Sequence, residues 1–296
     1  MCNLVRGKYI PNMNNGHKIA ILMATYNGEE FLEEQIKSIL WQDFKDWELF
    51  FHDDKSKDDT LKIIDKYVRH YPGKMHLLVD DAENGRGAKD SFMWLLEHVE
   101  SEYYMFSDQD DIWLPHKIST VYNCIREEES KSPSLPLMVY TDLCVADRYG
   151  TPVRLSSYEM AKMRPKWFDS FKAYRVMCKC AGCTTIINHR AKECAIPIHP
   201  FAFMHDWWIA LMVWKNGGRC MSMDVSTILY RQHGRNECGA PEYGRVNWWQ
   251  NKIRHISCVY RDNVLLYKFM REVTGCNPWT FVLAKMRVLV YRIFLK

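Results

Sequence analysis

The sequence lacks any apolar run long enough to span a membrane. No stretch of about 18 or more apolar residues is free of charge, whereas a spanning helix needs about 20 such residues. Residues 1–15 also contain no apolar segment of the kind found in secretory signals. These absences predict a cytoplasmic protein and disfavour an integral membrane protein.

Several catalytic and phosphate-binding motifs are missing as well. The sequence contains no GxxxxGK[ST], no GxGxxG and no GxSxG, and its nearest approach to a glycine-rich loop is Gly85-Arg86-Gly87. These absences disfavour a P-loop NTPase, a classical dinucleotide enzyme and a hydrolase with a nucleophile elbow. No internal repeat or low-complexity segment is present.

A disulfide framework is not expected either. The chain has eleven cysteines, an odd number without an export signal, which favours reduced thiols. Three of them lie together in residues 178–183, but their CxC-x₂-C spacing lacks the paired CxxC of structural zinc sites. We therefore expect buried, reduced cysteines in this segment.

The composition is that of a folded protein with an unevenly distributed charge. The 296 residues are 47% hydrophobic and 26% charged, with a net charge of +4. From Arg245 onward ten residues are basic and two are acidic, whereas residues 1–244 are slightly acidic overall. A near-neutral body with a basic tail differs from a uniformly basic nucleic-acid-binding protein.

Alternating hydrophobic patterns predict an α/β fold. Short apolar runs predict strands at residues 18–24, 47–51, 75–79 and 103–106, and helical periodicity follows each of them. Four such strand–helix units predict a mostly parallel sheet covered by helices on both faces. Further on, the sequence predicts strands at 137–141, 184–188 and 228–232, a helix at 206–214 and a basic helical extension after residue 245.

Polar side chains cluster where three of these strands end. The clusters are Thr25-Tyr26-Asn27, Asp53-Asp54 and Asp108 to Asp111. Ligands of open α/β sheets bind beyond the carboxyl ends of the strands. The three clusters are therefore the main functional signal in the sequence.

The acidic cluster at residues 108–111 predicts a metal site. Its three carboxylates repel one another unless a cation lies among them, and Mg²⁺ or Mn²⁺ prefers such oxygen ligands. The alternative is a solvated acidic turn that caps the next helix. The matching pair Asp53-Asp54 at a neighbouring strand end favours the functional interpretation.

These motifs resemble those of the family 2 glycosyltransferases. The matching blocks are AILMATYNG at 20–28, QIKSILWQ at 35–42, ELFFHDD at 48–54 and FSDQDDIWLPHKI at 106–118, followed by GCT at 182–184, HDWW at 205–208 and YRQHG at 230–234. The string FSDQDDIWLP is similar to the branch that contains bacterial rhamnosyltransferases and related O-antigen and capsule enzymes. The resemblance extends roughly from Lys18 to Asn236.

The resemblance implies a GT-A fold and an inverting, metal-dependent sugar transfer. It places a lead-in at residues 1–17, a nucleotide-sugar half at 18–130, an acceptor half at 131–240 and a basic tail at 241–296. The implied donor is dTDP-L-rhamnose or a UDP-hexose. The implied acceptor is a saccharide or lipid-linked oligosaccharide of cell-surface polysaccharide biosynthesis.

The resemblance also implies which residues bind the nucleotide. Thr25 and Tyr26 should lie against the base, and Asn27 and Arg86 should belong to the same binding site. Asp54, the second of its pair, should accept a hydrogen bond from N3–H of uracil or thymine.

The reacting centre is implied by a second set of residues. Asp108 and Asp110 form the DxD motif, which touches the nucleotide and binds Mn²⁺ or Mg²⁺, with Asp110 as the direct ligand. His233 matches a position near the metal or the pyrophosphate, and Asp206 matches the general base. The chemistry agrees, because the leaving diphosphate needs a cation and the acceptor hydroxyl needs a base.

Two tryptophans are candidates for contact with the acceptor. Trp207 follows the implied base, and Trp113 follows the acidic cluster. Aromatic residues often stack on sugar rings, but at helical spacing they more often pack in a core. For Trp207 the two interpretations stay open.

Three other function classes remain to be weighed. A non-catalytic GT-A module would be expected to lack Asp54, Asp110 or Asp206, and all three are present. A nucleic-acid-binding protein is suggested only by the tail, and the acidic strand ends oppose it. A nucleotidyltransferase would need a basic loop after the first strand, where this chain has Glu29 and Glu30.

The end of the chain predicts either a membrane-surface helix or a packed one. Within residues 281–296, Lys285, Arg292 and Lys296 share one side of a helix and Arg287 interrupts the pattern on the other. Trp248, Trp249 and Trp279 suit a membrane interface, which would place the protein peripherally at the inner face of the cell membrane. The alternative is a helix packed on the protein's own surface.

Overall fold

The computed structural model describes residues 4–6, 19–161, 163–164, 170–178, 180–234 and 256–294. Most of the predicted lead-in, Trp248, Trp249 and the start of the predicted tail lie outside the described residues. Within the described part, no helix is long and apolar enough to cross a membrane.

Ten strands of the described chain form one sheet. They are β1 (Leu4–Arg6), β2 (Ile19–Thr25), β3 (Trp47–Asp53), β4 (Met75–Val79), β5 (Tyr103–Ser107), β6 (Ile112–Trp113), β7 (Leu137–Ala146), β8 (Pro152–Arg154), β9 (Thr185–Asn188) and β10 (Arg219–Arg231). Their spatial order is β1-β4-β3-β2-β5-β9-β7-β10-β6, and β8 pairs with β7. One continuous sheet therefore runs through both predicted halves.

Helices cover both faces of this sheet. In the described residues they are α1 (Leu32–Leu40), α2 (Thr60–His70), α3 (Ala88–His98), α4 (Lys117–Lys131), α5 (Ser157–Met160), α6 (Phe171–Tyr174), α7 (His189–Ala195), α8 (His205–Lys215), α9 (Ile256–Thr274) and α10 (Pro278–Phe294). Strand β2 shows how the two faces arise, because successive side chains of a strand point to opposite sides. Ile19 and Ile21 pack in the core with α1, α2 and α4, whereas Ala20 and Leu22 pack in the core with α3, α8, α9 and α10.

The first half of the sheet is parallel, as the strand–helix pattern predicts. Strands β1, β4, β3, β2 and β5 pair in parallel. The chain moves outward from β2 through β3 to β4 and then crosses back to β5 on the other side of β2. This reversal of direction opens a crevice beyond the carboxyl ends of β2 and β5. Thr25 ends β2 and Ser107 ends β5, so their polar clusters border that crevice.

The second half of the sheet is mixed. Strand β9 joins β5 to β7 and is antiparallel to both, whereas β10 runs parallel to β7. Strand β7 continues through Ala146, beyond the predicted end at residue 141. The strand can include the buried Asp142 because hydrogen bonds compensate the burial of its carboxylate. It accepts hydrogen bonds from the hydroxyl groups of Ser156 and Ser157 and from the Ser157 amide.

Candidate active site

A cleft of about 480 Å³ lies at the carboxyl ends of β2 and β5. It is bordered by the residues that follow these strands, the first turn of α3, the Gly182 segment and the start of α8. The described lining residues are Ala24, Thr25, Tyr26, Asp54, Gly87, Ala88, Ser91, Phe92, Asp108, Gln109, Asp110, Ala181, Gly182, Cys183, Met204, His205, Asp206 and Tyr230. The cleft therefore joins side chains that are up to about 200 positions apart in the sequence.

The cleft is acidic. Four carboxylates line it, those of Asp54, Asp108, Asp110 and Asp206, and no lysine or arginine is among its described lining residues. Such a site repels a phosphate group unless a cation accompanies the phosphate. The backbone N–H groups of the first turn of α3 offer a further, weaker attraction for an anion.

The turn after β2 is held in place by the acidic loop. Gln109 accepts a hydrogen bond from the Tyr26 amide at 2.9 Å and donates one to the Tyr26 carbonyl at 2.9 Å. The fit leaves no space for a side chain at Gly28, where a Cβ would lie 2.2 Å from Gln109 Oε1. On the other side, Thr25 Oγ1 donates to Asp53 Oδ1 at 2.9 Å. The Tyr26 ring is exposed at the mouth of the cleft.

The carboxylate of Asp54 holds the loop that precedes α3. Its two oxygens accept hydrogen bonds from the backbone N–H groups of Arg86 at 2.6 Å and Gly87 at 2.9 Å. The Arg86 guanidinium forms an ion pair with Asp80 instead, and Arg86 is not among the described residues that line the cleft. The structure thus brings Asp54 to the cleft and turns the Arg86 side chain away from it.

The three carboxylates of the acidic loop after β5 have different surroundings. Asp108 and Asp110 line the cleft, and Asp110 Oδ2 lies 2.8 Å from His233 Nε2. Asp111 is fully buried, and its desolvation together with the charges of Asp108 and Asp110 raises the pKa of its carboxyl group. The interpretation as a solvated turn is therefore wrong for Asp111.

These residues fit a hard divalent cation. Oδ2 of Asp111 has no hydrogen-bond partner among the described residues, and carboxylate oxygens of Asp108 and Asp111 lie within 4.8 Å of each other and of Cys183 Sγ. Carboxylate oxygens are the ligands that Mg²⁺ and Mn²⁺ prefer. Of the DxD pair, Asp108 belongs to this cluster and Asp110 lines the same cleft, so the two residues offer carboxylate oxygens to such an ion.

Asp206 lies on the opposite side of the cleft, in the first turn of α8. Its Oδ2 accepts a hydrogen bond from the Gly182 amide at 3.0 Å, and its Oδ1 accepts one from the Trp207 amide at 2.6 Å. Burial raises the pKa of this carboxyl group to about 6, against the opposing effect of the two hydrogen bonds. The Gly182 segment can lie against the start of α8 because Gly182 has no side chain. A Cβ at this position would lie 2.4 Å from Nε2 of His205, the residue before Asp206.

Comparison with known proteins identifies the family. Residues 20–178, more than half of the chain, match the family model described as glycosyl transferase family 2. The chain belongs to glycosyltransferase family 2. A relative with 31% identity over 264 residues, the dTDP-rhamnosyl transferase RfbG of Shigella flexneri, aligns with 81% of this chain and 85% of its own length.

Two further proteins are similar to this glycosyltransferase. WfgD of Escherichia coli, a UDP-Glc:alpha-D-GlcNAc-diphosphoundecaprenol beta-1,3-glucosyltransferase, is 31% identical over 101 residues, covering 34% of this chain and 38% of that protein. The mannosyltransferase PcManGT of Pyrobaculum calidifontis, solved with GDP-Man and Mn²⁺, covers 93% of this chain and 74% of its own, with a TM-score of 0.55 and 16% identity. The structural likeness confirms the predicted GT-A fold.

Five sequence-predicted site residues of the glycosyltransferase are not among the described residues that line the cleft: Asn27, Arg86, Trp113, Trp207 and His233. Trp113 is buried in the core, with 2% of its surface exposed, and stacks with the Lys117 ammonium group. It is therefore placed too deep to contact an acceptor. The Trp207 indole donates to the Tyr174 carbonyl at 2.6 Å and stacks on Phe203, which is a packing role.

Asn27 has a structural role in the turn after β2. Its side-chain oxygen accepts a hydrogen bond from the Lys57 amide at 2.8 Å, and its own amide donates to Ser56 Oγ. Its backbone has a φ of 47°, a left-handed conformation that asparagine tolerates better than most residues. Asn27 thus shapes the turn after β2, and the side chain itself is used in that turn.

Several lining residues of the glycosyltransferase were missed by the sequence analysis. His205 is buried with its ring between Phe92 and Phe106, and burial lowers its pKa to about 3, so the ring is neutral. Tyr230 borders the acidic loop, and its burial raises the pKa of its hydroxyl group. Gln109 also lines the cleft, and its position between Asp108 and Asp110 was the only sign of this in the sequence.

Replacement of Gln109 should weaken nucleotide binding while the fold stays intact. Gln109→Ala removes both hydrogen bonds that fix the Tyr26 backbone, and each such bond contributes about 1 kcal/mol. We expect about a 5- to 30-fold rise in the Kd for a nucleoside diphosphate, measured by calorimetry, and only a small change in Tm. Gln109→Glu keeps the oxygen that accepts from the Tyr26 amide and loses the N–H that donates to the Tyr26 carbonyl. The Kd of this variant should therefore lie between those of the wild type and Gln109→Ala. Equal Kd values for all three proteins would contradict this role.

Proposed function

We propose that this glycosyltransferase transfers a hexose with inversion from a nucleotide-sugar to a saccharide or a lipid-linked oligosaccharide during cell-surface polysaccharide biosynthesis. The observation that carries the proposal is the convergence of Asp54, Asp108, Asp110 and Asp206 on one cleft. The first three lie at strand ends beside the parallel half of the sheet, and Asp206 faces them from α8. We assign the first three residues to a nucleotide side of the cleft and Asp206 to an acceptor side.

The nucleotide side is formed by the turn after β2 and by Asp54. The exposed Tyr26 ring offers a face for the base, and its backbone is fixed by Gln109. Each carboxylate oxygen of Asp54 can accept a second hydrogen bond in addition to the backbone one that it already has. We assign one of these remaining positions to N3–H of a pyrimidine base.

The diphosphate side requires a cation because its described lining residues include no basic side chain. We assign Mn²⁺ or Mg²⁺ to Asp110 and Asp108, with His233 as the residue that orients the Asp110 carboxylate. When bound, such an ion neutralises the charge that develops on the leaving nucleoside diphosphate. His233 is itself fixed by its contact with the Phe31 ring, 4.7 Å between ring centroids.

Asp206 is assigned the proton of the acceptor hydroxyl. A carboxylate whose pKa is about 6 is a stronger base than an ordinary aspartate and is still mostly ionised at neutral pH. The amides of Gly182 and Trp207 orient it. The deprotonated hydroxyl then attacks the anomeric carbon opposite the leaving group, through an oxocarbenium-like transition state. A single displacement inverts the anomeric configuration and needs no covalent nucleophile.

For the donor we propose dTDP-L-rhamnose, with UDP-glucose, UDP-galactose and a UDP-N-acetylhexosamine as alternatives. The support is the similarity to RfbG over most of both chains. A lipid-linked acceptor is supported by the name of WfgD, which acts on a diphosphoundecaprenol-linked sugar.

The test of the proposed function is a panel of these nucleotide-sugars. The release of nucleoside diphosphate is measured with and without Mn²⁺, in the presence of a lipid-linked acceptor. We expect release from one donor to exceed that from the others, to require the metal and to require the acceptor for full rate. No release above background from any donor would contradict the proposal.

A base-modified nucleotide tests the role of Asp54. Asp54→Ala should weaken binding of dTDP or UDP by about 1–3 kcal/mol, because a hydrogen bond to a charged group is lost. Methylation at N3 removes the proton that Asp54 should accept, so the methylated nucleotide should bind the wild type weakly. For Asp54→Ala, the two nucleotides should bind with the same Kd in calorimetry. If methylation weakens binding of the variant as well, Asp54 acts only through the loop at residues 86–87.

We also propose that α10 binds the inner membrane surface. One face of this helix packs on the protein through Phe281 and Ala284, which are buried. The opposite face is apolar and exposed, and its members are Trp279, Val282, Leu283, Met286 and Val290. At about 100° per residue these five positions span an arc of about 100°, with Lys285 and Arg287 on its two flanks. Such a helix suits an anionic bilayer surface.

A charge placed in this face should abolish membrane binding. Leu283→Glu puts a carboxylate among the exposed apolar residues, whereas Leu61→Glu changes an exposed leucine of α2, far along the chain. We expect full-length protein and Leu61→Glu to sediment with anionic liposomes at low salt, and Leu283→Glu to remain in the supernatant. If all three proteins sediment equally, or none does at low salt, α10 is a packing element only.

A further inference from the structure

Asp206 lies in a second group of side chains of the kind that ligate metals, together with Cys178 and Cys180. The Sγ atoms of Cys178 and Cys180 are 3.7 Å apart, and both lie within 4.8 Å of a carboxylate oxygen of Asp206. Cys180 is buried and Cys178 is partly buried. Neither cysteine is among the described residues that line the cleft, and the proposed transfer uses neither.

We propose that Cys178, Cys180 and Asp206 form a binding site for a thiophilic divalent cation such as Zn²⁺, and that its occupation inhibits sugar transfer. Two thiolates and one carboxylate suit Zn²⁺, whereas the carboxylates of the DxD motif, with Cys183 as a single thiol nearby, suit Mg²⁺ or Mn²⁺. The site with two thiols should therefore bind Zn²⁺ more tightly than the DxD site does. The inhibitory part of the proposal rests on the proposed role of Asp206 as the base.

Binding of Zn²⁺ at this site should release two protons. The hydrogen bond with Cys180 and burial raise the pKa of the Cys178 thiol, and burial raises that of Cys180 against the opposing effect of the same hydrogen bond, so both thiols are protonated in the free protein. Asp206 is ionised above a pH of about 6. Binding of Zn²⁺ displaces the two thiol protons to solvent and leaves the Asp206 carboxylate as the third ligand. A water molecule completes a four-coordinate shell, as in zinc sites with three protein ligands. The carboxylate is then no longer available to the acceptor hydroxyl.

Residues 178–183 do not match a zinc motif because one of the three proposed ligands lies outside this segment. The third ligand comes from the start of α8, more than 25 positions after the cysteines. It is brought to them by the contact of Cys180 Sγ with the Asp206 carbonyl at 3.9 Å and by the bond between the Gly182 amide and the Asp206 carboxylate. The sequence pattern alone holds only the two thiols of that set.

Metal titration with matched cysteine variants tests the site. Cd²⁺ serves as the probe, because thiolate ligation produces a charge-transfer absorption in the ultraviolet. The full chain is compared with Cys178→Ser/Cys180→Ser and with Cys124→Ser/Cys194→Ser, which removes two partly buried cysteines elsewhere. We expect the Kd for Cd²⁺ to rise at least about 10-fold in the first variant and to be unchanged in the second. The single variant Cys178→Ser gives the same comparison if the double variant does not fold.

Transfer assays in saturating Mn²⁺ then separate this proposal from the proposed function. Zn²⁺ should inhibit the wild type and Cys124→Ser/Cys194→Ser, and a chelator selective for Zn²⁺ should restore activity. Cys178→Ser/Cys180→Ser should be active and resistant. Equal Cd²⁺ binding by all proteins overturns the site, and tight binding without inhibition overturns its link to Asp206. If no donor is used at all, the proposed function fails, while the Cd²⁺ titration still decides the metal site.

Discussion

Asp206→Asn is expected to reduce the rate of sugar transfer by about 10²- to 10⁴-fold, the usual contribution of a general base. Asparagine keeps the size of the side chain, and its one oxygen can still accept a hydrogen bond from either the Gly182 or the Trp207 amide. It cannot take a proton from the acceptor hydroxyl. The affinity for the nucleoside diphosphate, measured by calorimetry, should therefore stay at the wild-type value.

The stability and the pH profile of this variant distinguish a base from a structural carboxylate. Burial raises the pKa of Asp206 to about 6, so its charge opposes folding above that pH. Asn removes this charge but also one of the two amide hydrogen bonds, and the opposing effects should leave Tm at pH 8 nearly unchanged. The wild-type kcat should fall as the pH drops below about 6, because the base becomes protonated. Asp81→Asn, at an exposed position, is the control. A lower Tm, or equal losses of nucleotide affinity and turnover, would assign Asp206 a structural role.

Asp110→Ala is expected to lower turnover by several orders of magnitude, with little effect on the fold. The side chain borders the cleft and its one described partner is His233, so its removal should leave the core intact. Because no basic side chain is among the described lining residues, the diphosphate depends on the metal for its binding. The wild-type affinity for a nucleoside diphosphate should therefore rise steeply on addition of Mn²⁺.

The variant should show no such dependence on Mn²⁺. Calorimetric titration of the nucleotide with and without the ion measures it, and Asp81→Ala is the control with an exposed aspartate removed. Treatment of the wild type with excess EDTA should reproduce the loss of turnover, and Mn²⁺ should restore it. Near-normal activity of Asp110→Ala in EDTA would overturn the metal assignment.

Local periodicity was sufficient to predict β2 to β5 in the parallel half of the sheet, whereas β1 lies in the segment predicted as a lead-in. Strand β4 begins and ends at the predicted residues 75 and 79, because its apolar run is bounded on both sides by polar residues. Strand β10 begins at Arg219, nine positions before the predicted 228. Its pairing with β7 shifts register between Met223 and Ser226 and again between Ser226 and Leu229. Each shift breaks the alternation of side chains on which a sequence-based prediction depends.

The positions of the site carboxylates were predictable for a different reason. The carboxyl ends of parallel strands meet at one edge of a sheet, so Asp54, Asp108 and Asp110 had to lie near one another. The direction of a long side chain is set by partners that no spacing reveals. Arg86 turns to Asp80 and the Trp207 indole to the Tyr174 carbonyl. Contacts of this kind decide whether a residue beside a cleft also faces it.

The antiparallel strand β9 has a mechanical consequence. Its backbone hydrogen bonds tie β5, which carries the DxD loop, to β7, on whose other side β10 leads to His233. A hinge motion between the two halves would have to break this ladder of hydrogen bonds. The strands that carry the DxD loop and His233 are therefore ordered relative to each other when the chain folds. Under the proposed function, binding of the substrates need not supply the free energy of ordering this framework.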